Sequence, residues 1–464
     1  MTAIKFGTDG WRAIIAETYT VDNVRRVARG TALWMKSKGM SKVIIGHDCR
    51  FGGKMFLEAA AVEFTIEGIQ VIAADGIVST PMVSLAVVKH SCDLGVVITA
   101  SHNPPTYNGY KLKSSYGGPS TPTEIEEVEK LIPENTSKAD TNFQKEIEKG
   151  TIVLSNLESL YEQHVRSNFD VPAILKQDKM VYDSMFGAGQ FVMRKLFPGT
   201  VQLHSEHNPG FSNTAPEPIA KNMTELMNYM KTSANGRVAF ATDGDADRIA
   251  MVDEDGNLVD SHHVLLLLMY YLVEYKKMKG KIVVSCSVSN KINKLAKLYQ
   301  MECISTKIGF KYIAEYILAG DVLVGGEESG GLAIAGHIPE RDGIWIGLTI
   351  LELMSKTGKS LKELIQILYD KVGSFSYDRL DLHLSTEQMQ SVKQILSTDD
   401  ITEWGPFKVI AKEKIDGDKF YFENDSWLMF RASGTEPVLR IYAQGVNGDQ
   451  VKQIHSHARQ RLGI

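Results

Sequence analysis

The most constraining feature of this chain is a join that recurs four times. An apolar, β-rich run stops abruptly at a loop of Gly, Ser, Asp or Arg. The joins are LGVVIT to ASHNPP, VAFAT to DGDADR, DVLV to GGEESGG and WLMF to RASGTEP. In layered α/β sheets, loops beyond the carboxyl ends of strands are where ligands bind. Helical stretches alternate with the β-rich runs, so the pattern predicts an α/β class. A chain of 464 residues is also too long for one core, because cores stop growing near ~250–300 residues.

Read along its length, the chain divides into four units, at 1–150, 151–255, 256–370 and 371–464. The first three are expected to be similar α/β/α sandwiches. In the first, Thr20 caps a helix to about Lys38, followed by strand Lys42–Gly46, helix Gly53–Glu67, strand Ile69–Ala73 and strand Leu94–Thr99. The polar stretch 133–149 reads as a linker. In the second, Asp253–Gly256 reads as the turn of a hairpin. The last unit orders strands and helices as a smaller α+β module. No sequence repeat links the units.

Charge limits the function classes. With 51 basic and 56 acidic residues the net charge is -5, so there is no basic footprint for nucleic acid. An anionic substrate would need local cations. Cys49, Cys92, Cys286 and Cys303 are scattered, which suits reduced thiols better than disulfides or a zinc site. The opening MTAIKFGTDGWR lacks a signal-peptide pattern, and the longest apolar run, Val264 to Val273, is too short to span a bilayer. A soluble, cytoplasmic protein with no membrane partner is expected, as a monomer or homodimer.

The loops carry the chemistry. Ser101 follows a strand, is flanked by His102, and has Lys111 ten residues on. Such a serine can be a nucleophile or phosphoryl carrier, although Ser, Asn, Pro and Gly also make plain turns. In the second loop Asp243, Asp245 and Asp247 alternate with Gly244 and Ala246, so three carboxylates can converge. Their repulsion calls for a hard cation such as Mg²⁺. An EF-hand fails, because Arg248 stands where its glycine must be and a strand follows. Glu327 and Ser329 in the third loop offer groups to sugar hydroxyls. Arg431, Ser433, Gly434 and Thr435, with Arg440 nearby, form a phosphate cradle. Arg12 follows a Gly-rich turn, and Lys307, Gly309 and Lys311 make an anion site at a strand–helix junction. For each of these last two segments, and for the third and fourth loops taken alone, a structural turn is the competing reading, as a solvated acidic turn without metal is for the second.

A serine loop, a triple-Asp loop, a hydroxyl reader and a phosphate cradle in separate units imply a site between domains. Intramolecular phosphoryl exchange on a sugar phosphate, a small-molecule substrate, uses all four. In order and spacing, TASHNPP, TDGDADR, GGEESGG and RASGTEP resemble the α-D-phosphohexomutase superfamily (the phosphoglucomutases and phosphomannomutases) over essentially the whole chain, including FGTDGWR. The resemblance implies three α/β domains plus a C-terminal α+β domain around a central cleft. It also implies a phosphoserine at Ser101, Mg²⁺ on Asp243, Asp245 and Asp247 with the seryl phosphate, and hexose 1,6-bisphosphate as activator. By the same comparison Arg12 and Lys111 lie beside the reacting group, with Lys111 the first candidate for general base and His102 the alternative. Glu327 and Ser329 fall to sugar hydroxyls and Arg431, Ser433, Gly434 and Thr435 to the distal phosphate, with Arg248 and Lys311 as helpers. GEESGG and HIPERDGIW are closer to phosphoglucomutase patterns than to the GEMSG or GEQSGH forms. Glucose phosphate is therefore the expected substrate, with mannose phosphate next and glucosamine phosphate as a further alternative; a non-mutase sugar-phosphate-binding protein or phosphatase that kept the scaffold is the reading from a different class.

Overall fold

A computed structural model describes residues 4–135, 140–176, 180–233, 236–398, 401–432 and 438–464. Ser433, Gly434 and Thr435 lie outside the described residues.

The first sheet has six strands: β1 (Trp11–Ile14), β2 (Lys42–His47), β3 (Gln70–Ile77), β4 (Leu94–Ile98), β5 (Tyr107–Ser114) and β6 (Ile152–Ser155). Their order is β1-β5-β4-β2-β3-β6. Strands β4, β2, β3 and β6 are parallel, while β5 and β1 run antiparallel on one side. The parallel strands are apolar throughout because both faces are covered. Val43, Ile45, Val71 and Val96 pack with helices Val21–Ser37 and Gly53–Ile66. Ile44, Ile72 and Val97 face helices Thr80–Lys89 and Leu157–Asn168 on the other side.

The stretch read as a linker contains structure. Asn142 caps a helix, Phe143–Glu148, by accepting the Lys145 N–H at 3.0 Å. Strand β6 then pairs parallel with β3, so the first sheet reaches Ser155.

The second sheet, order β11-β10-β9-β7-β8, is built from β7 (Met180–Asp183), β8 (Val201–Leu203), β9 (Val238–Thr242), β10 (Ile249–Val252) and β11 (Leu258–Val259). The expected hairpin is present, with Met251 opposite Val259. The third, order β13-β12-β14-β15, contains β12 (Lys281–Ser285), β13 (Cys303–Thr306), β14 (Val322–Gly326) and β15 (Leu332–Ile334). One apolar cluster runs from Ile44 of the first unit through Tyr182 and Phe240 of the second to Ile282, Ile344 and Val372 of the third. These three units therefore share a core.

The fourth unit has its own. After the two-strand pair β17 (Glu403–Trp404) and β18 (Phe407–Lys408), its main sheet uses β19 (Ala411–Glu413), β20 (Asp418–Tyr421), β21 (Trp427–Ala432) and β22 (Val438–Gly445). Together with β16 (Ser376–His383) the order is β16-β22-β21-β20-β19, all antiparallel. Leu428, Phe430, Leu439 and Ile441 pack against Val451, Ile454 and Ala458 of helix Gly448–Leu462. Three α/β/α layers plus a smaller α+β module match the expected class. No described helix is long and apolar enough to cross a membrane.

Candidate active site

The serine loop leaves β4 at Ile98 and returns as β5 at Tyr107. Ser101 sits at φ 51°, a left-handed conformation that costs a non-glycine residue about 1–2 kcal/mol. Arg50 Nη2 donates to the carbonyls of Ser101 at 2.7 Å and Asn103 at 2.6 Å. Lys111, expected in the loop, stands instead inside β5, paired opposite Val97 and almost wholly buried.

The triple-Asp loop leaves β9 at Thr242 and turns tightly, with Ala246 also left-handed at φ 57°. Asp243 Oδ1 accepts the backbone N–H groups of Asp247 at 3.0 Å and Arg248 at 3.1 Å. Its other oxygen, Oδ2, accepts the Ser101 hydroxyl at 2.7 Å. The two loops touch because Gly244 has no side chain: a Cβ there would lie 2.6 Å from the Ser101 carbonyl. One oxygen from each of Asp243, Asp245 and Asp247 falls within 4.8 Å of the others, and all three residues are buried.

Three cations and a fourth carboxylate close the cluster. Lys111 Nζ lies 2.8 Å from Asp9, 2.8 Å from Asp245 and 3.1 Å from Asp247. Arg341 Nη2 lies 2.7 Å from both Asp9 and Asp247. Arg12 donates to Asn103 Oδ1 at 2.6 Å and lies 3.5 Å from Asp9. Thr80 Oγ1 donates to Asp245 Oδ2.

The resulting charge states follow from burial and neighbours. Burial works against the Lys111 ammonium, but Asp245, Asp247 and Asp9 outweigh it and raise its pKa, so Lys111 is firmly protonated. Burial would likewise raise Asp9 and Asp245. Arg341 and Lys111 hold Asp9 well below the usual carboxylate range, and Lys111 and Thr80 do so for Asp245. Asp243 is pushed up by burial and by the two neighbouring aspartates. His102, whose Nδ1 lies 3.4 Å from Ser101 Oγ, is pushed well down by burial and by Arg248, Arg12, Lys111 and Arg50, so it is neutral.

These residues fit a hard divalent ion. Asp245 Oδ1 and Asp247 Oδ1 are buried acceptors with no hydrogen-bond partner, which is costly unless a cation takes them. Among the described residues, this is the one group of three or more such side chains that could hold a metal.

The other expected positions lie in the second, third and fourth units. Buried Glu327 accepts the Gly309 N–H at 2.8 Å, and burial raises its pKa to about 7. Ser329 is half-buried in the same loop; Lys307 is exposed, and Lys311 lies 5.3 Å over the Tyr312 ring. Arg248 is 3.7 Å from Glu217. On the C-terminal sheet, Arg431 and Arg440 are opposite one another, with Arg431 donating to Asp416 at 2.9 Å. Ser101, His102, Lys111, Arg12 and the three aspartates thus form one cluster. The C-terminal cations form a second, tied to the second and third units by Arg379, which lies 3.9 Å from both Glu217 and Glu328.

Sequence reading missed Asp9, Asp48, Arg50, Thr80, Arg341 and Arg379. Asp9 and Arg341 were visible only as parts of FGTDGWR and HIPERDGIW. Asp48 and Arg50 follow strand Lys42–His47 in the same way as the four noted loops follow theirs, and that position was the available signal.

Four domain families match in chain order: phosphoglucomutase/phosphomannomutase α/β/α domain I over residues 3–139, domain II over 159–256, domain III over 260–372 and the C-terminal domain over 392–460. The chain belongs to the α-D-phosphohexomutase superfamily. A Methanococcus maripaludis phosphoglucosamine mutase is 31% identical, the match covering 90% of this chain and 91% of that one. The phosphoglucomutase/phosphomannomutase of Thermococcus kodakarensis is 29% identical over 97% and 96%. A solved structure from Thermus thermophilus, assigned to phosphomannomutase, superposes with a TM-score of 0.88 at 30% identity over the full length of both chains. As a superfamily member this protein is a phosphohexomutase-type isomerase, and its buried aspartate triad is a candidate site for the Mg²⁺ typical of that family.

Proposed function

We propose that this phosphohexomutase interconverts glucose 1-phosphate and glucose 6-phosphate through a phosphorylated Ser101 and glucose 1,6-bisphosphate. The observation that carries the reading is the contact of Ser101 Oγ with Asp243, 2.7 Å apart, inside a buried three-carboxylate cluster built by a different sheet. A serine held against such a cluster is suited to carrying phosphorus and poorly suited to being a plain turn.

In this reading the free hydroxyl of the sugar phosphate attacks the seryl phosphorus. The Ser101 O–P bond breaks, and the bisphosphate formed turns over so that its other phosphoryl group returns to Ser101 Oγ. The hydroxyl proton needs a nearby base. Lys111 is held as an ammonium by three carboxylates, so it serves as a cation beside the transferring group. Neutral His102 takes precedence as the base, which reverses the order expected from sequence. Arg12 and Arg341 add positive charge at the same place, and catalysis is then chiefly positioning and electrostatics. When bound by Asp243, Asp245 and Asp247 with the seryl oxygen, Mg²⁺ would neutralise charge on the seryl phosphate. Glu327 and Ser329 would take sugar hydroxyls. The distal phosphate would fall to Arg431, Arg440 and the segment with Ser433, Gly434 and Thr435, helped by Arg248, Lys307, Gly309 and Lys311. The bisphosphate would act as activator by phosphorylating Ser101.

A second reading, glucosamine phosphate, is favoured by the name of relatives such as the M. maripaludis protein and by adjacent Glu327 and Glu328, which suit a C2 ammonium. Mannose phosphate is the third. A coupled assay over the three hexose 1-phosphates, with and without bisphosphate primer, tests the proposal. Glucose 1-phosphate should have the highest kcat/KM, with strict Mg²⁺ dependence. A higher value for the glucosamine ester would move the assignment to the second reading, and phosphate release without isomerisation would end both.

A further inference from the structure

We infer that Arg50, braced by Asp48, is a positioning residue that locks the Ser101 loop in its left-handed, carboxylate-facing conformation. The inference rests on the reading that Ser101 carries the phosphoryl group.

The loop from Ser101 to Tyr107 bulges out between two strands. The Thr106 carbonyl accepts the Ile15 N–H and the Pro104 carbonyl accepts the Tyr107 N–H, but those of Ser101 and Asn103 face away from the sheet ladder and require other donors. Arg50 supplies them. Its side chain is fully buried. Nη1 donates to the carbonyls of Pro104 and Tyr107, both at 2.9 Å, and Nη2 to those of Ser101 and Asn103 at 2.7 and 2.6 Å. Four charge-assisted bonds from one planar fork thus fix four points of a seven-residue loop. The remaining Nε faces Asp48 at 3.5 Å, and the guanidinium lies 5.0 Å over the Phe211 ring of the second unit.

Asp48 ties off the other side. Its Oδ1 accepts the Arg50 backbone N–H at 2.9 Å, and its Oδ2 accepts the Thr99 hydroxyl. That hydroxyl oxygen in turn accepts the Ser101 N–H at 2.9 Å. The N–H and the C=O of Ser101 are therefore both anchored, directly or through Thr99, to one Asp48–Arg50 unit. The Ser101 hydroxyl bond to Asp243 and the Asn103 N–H bond to Ala100 hold single points of the loop, whereas this unit holds both backbone groups of Ser101 at its unfavourable φ of 51°. The tolerance is small: Gly244 packs against the Ser101 carbonyl so closely that a Cβ would be 2.6 Å away. A lysine cannot replace the fork, because its point charge reaches one or two carbonyls.

The test uses Arg50→Ala and Arg50→Lys in the full-length enzyme, with kcat, KM and single-turnover loss of label from ³²P-Ser101. A displacement near 1 Å costs about 10²-fold in rate. We expect kcat and label transfer to fall about that much in Arg50→Ala, and less in Arg50→Lys, with KM changed by less than about 3-fold, as for an interaction felt only in the transition state. A cavity of about 790 Å³, lined by Arg50, Asp48, His47 and Phe51, adjoins the side chain. Millimolar guanidinium should enter it and restore kcat of Arg50→Ala at least about 10-fold while leaving wild type unchanged, the group returned being the fork that binds carbonyls bidentately. Should the alanine variant not fold, the split between kcat and KM in Arg50→Lys decides alone. The inference is overturned by kcat within about 3-fold of wild type per folded enzyme, by an effect confined to KM, or by a folded Arg50→Ala that guanidinium does not rescue. Ser101→Ala runs alongside: activity surviving there defeats the phosphoserine reading itself, whereas an inactive Ser101→Ala with fully active Arg50 variants defeats only the clamp.

Discussion

The serine cluster and the C-terminal unit are built in opposite ways. At the serine end, Asp9, Lys111, the three aspartates and Arg341 interlock with little exposure, drawn from three sheets that share one apolar core. At the C-terminal end the unit has a separate core and meets the rest through a small apolar contact of Cys286 with Trp427, Met429 and Tyr442. The Tyr377 ring also packs on His262, with centroids 4.1 Å apart, and other docking contacts are polar. Lys291 pairs with Asp425 at 2.8 Å, Gln444 donates to Asn290 at 2.7 Å, and Lys419 donates to the Cys286 carbonyl at 2.7 Å. The chain crosses over at Gly373, φ 83°, between helix Leu361–Val372 and β16. A dense buried charge cluster cannot rearrange without a large desolvation cost, whereas a polar, small interface can open and close. The contrast is between a prebuilt serine end and a C-terminal unit whose contacts are of the kind that can open; on the proposed reading, the latter would close over the distal phosphate.

The sharpest way to break this contrast is at its rigid end. Ser101→Ala should lower mutase turnover on the order of 10⁴-fold or more, as expected for loss of a covalent nucleophile; the coupled assay reads it directly. Asp245→Asn should raise the Mg²⁺ concentration for half-maximal activity at least about 10-fold, with the sugar-phosphate KM much less affected. Equal shifts in both would mean that the carboxylates do not act as a metal site.

The movable end should respond more weakly. Burial lowers Lys419 to about 8, below the ~10.4 of an unfolded chain. Below pH 8 the residue is charged in both states and its burial cost is borne in full. Between pH 8 and ~10.4 the unfolded chain binds the proton more tightly, so this group makes stability rise with pH. Lys419→Met should flatten that rise in denaturant midpoints, by at most about 3 kcal/mol. A wild-type midpoint with no Lys419-dependent rise would contradict the buried docking contact. The smallest effect belongs to Asp425→Ala. It releases Lys291 and Lys294 from a half-exposed carboxylate and should cost under about 1 kcal/mol, seen as faster amide exchange in β20 and β21 with catalysis at the serine end intact.

Legibility in the sequence followed the same division between local and distant causes. Strands β2, β4, β9 and β12 were readable because burial on both faces demands continuous apolar residues. Strand β5 was not: YNGYKLKS carries two lysines, and Lys111 and Lys113 are both buried. They are tolerated because Asp9, Asp245, Asp247 and Glu340 meet them from elsewhere in the chain. Helix Phe143–Glu148 and β6 escaped notice for a similar reason, since β6 is a strand only by virtue of its pairing with β3. Among site residues, Ser101 and the three aspartates lay in loops of conspicuous composition. Arg50 and Arg341 did not, because a lone arginine looks the same whether it is solvated or clamped.

By itself, the order of residues determined where strands end, which loops can turn tightly, and that Asp243, Asp245 and Asp247 are able to converge, because Gly244 and Ala246 leave room between them. Only the tertiary structure decided that the seryl oxygen meets that carboxylate group, that Lys111 is locked as an ammonium, and that Arg50 grips the serine loop. The reason is that backbone conformation is set by near neighbours along the chain, whereas charge interactions depend on separation and dielectric in space, and those are fixed only when the sheets pack.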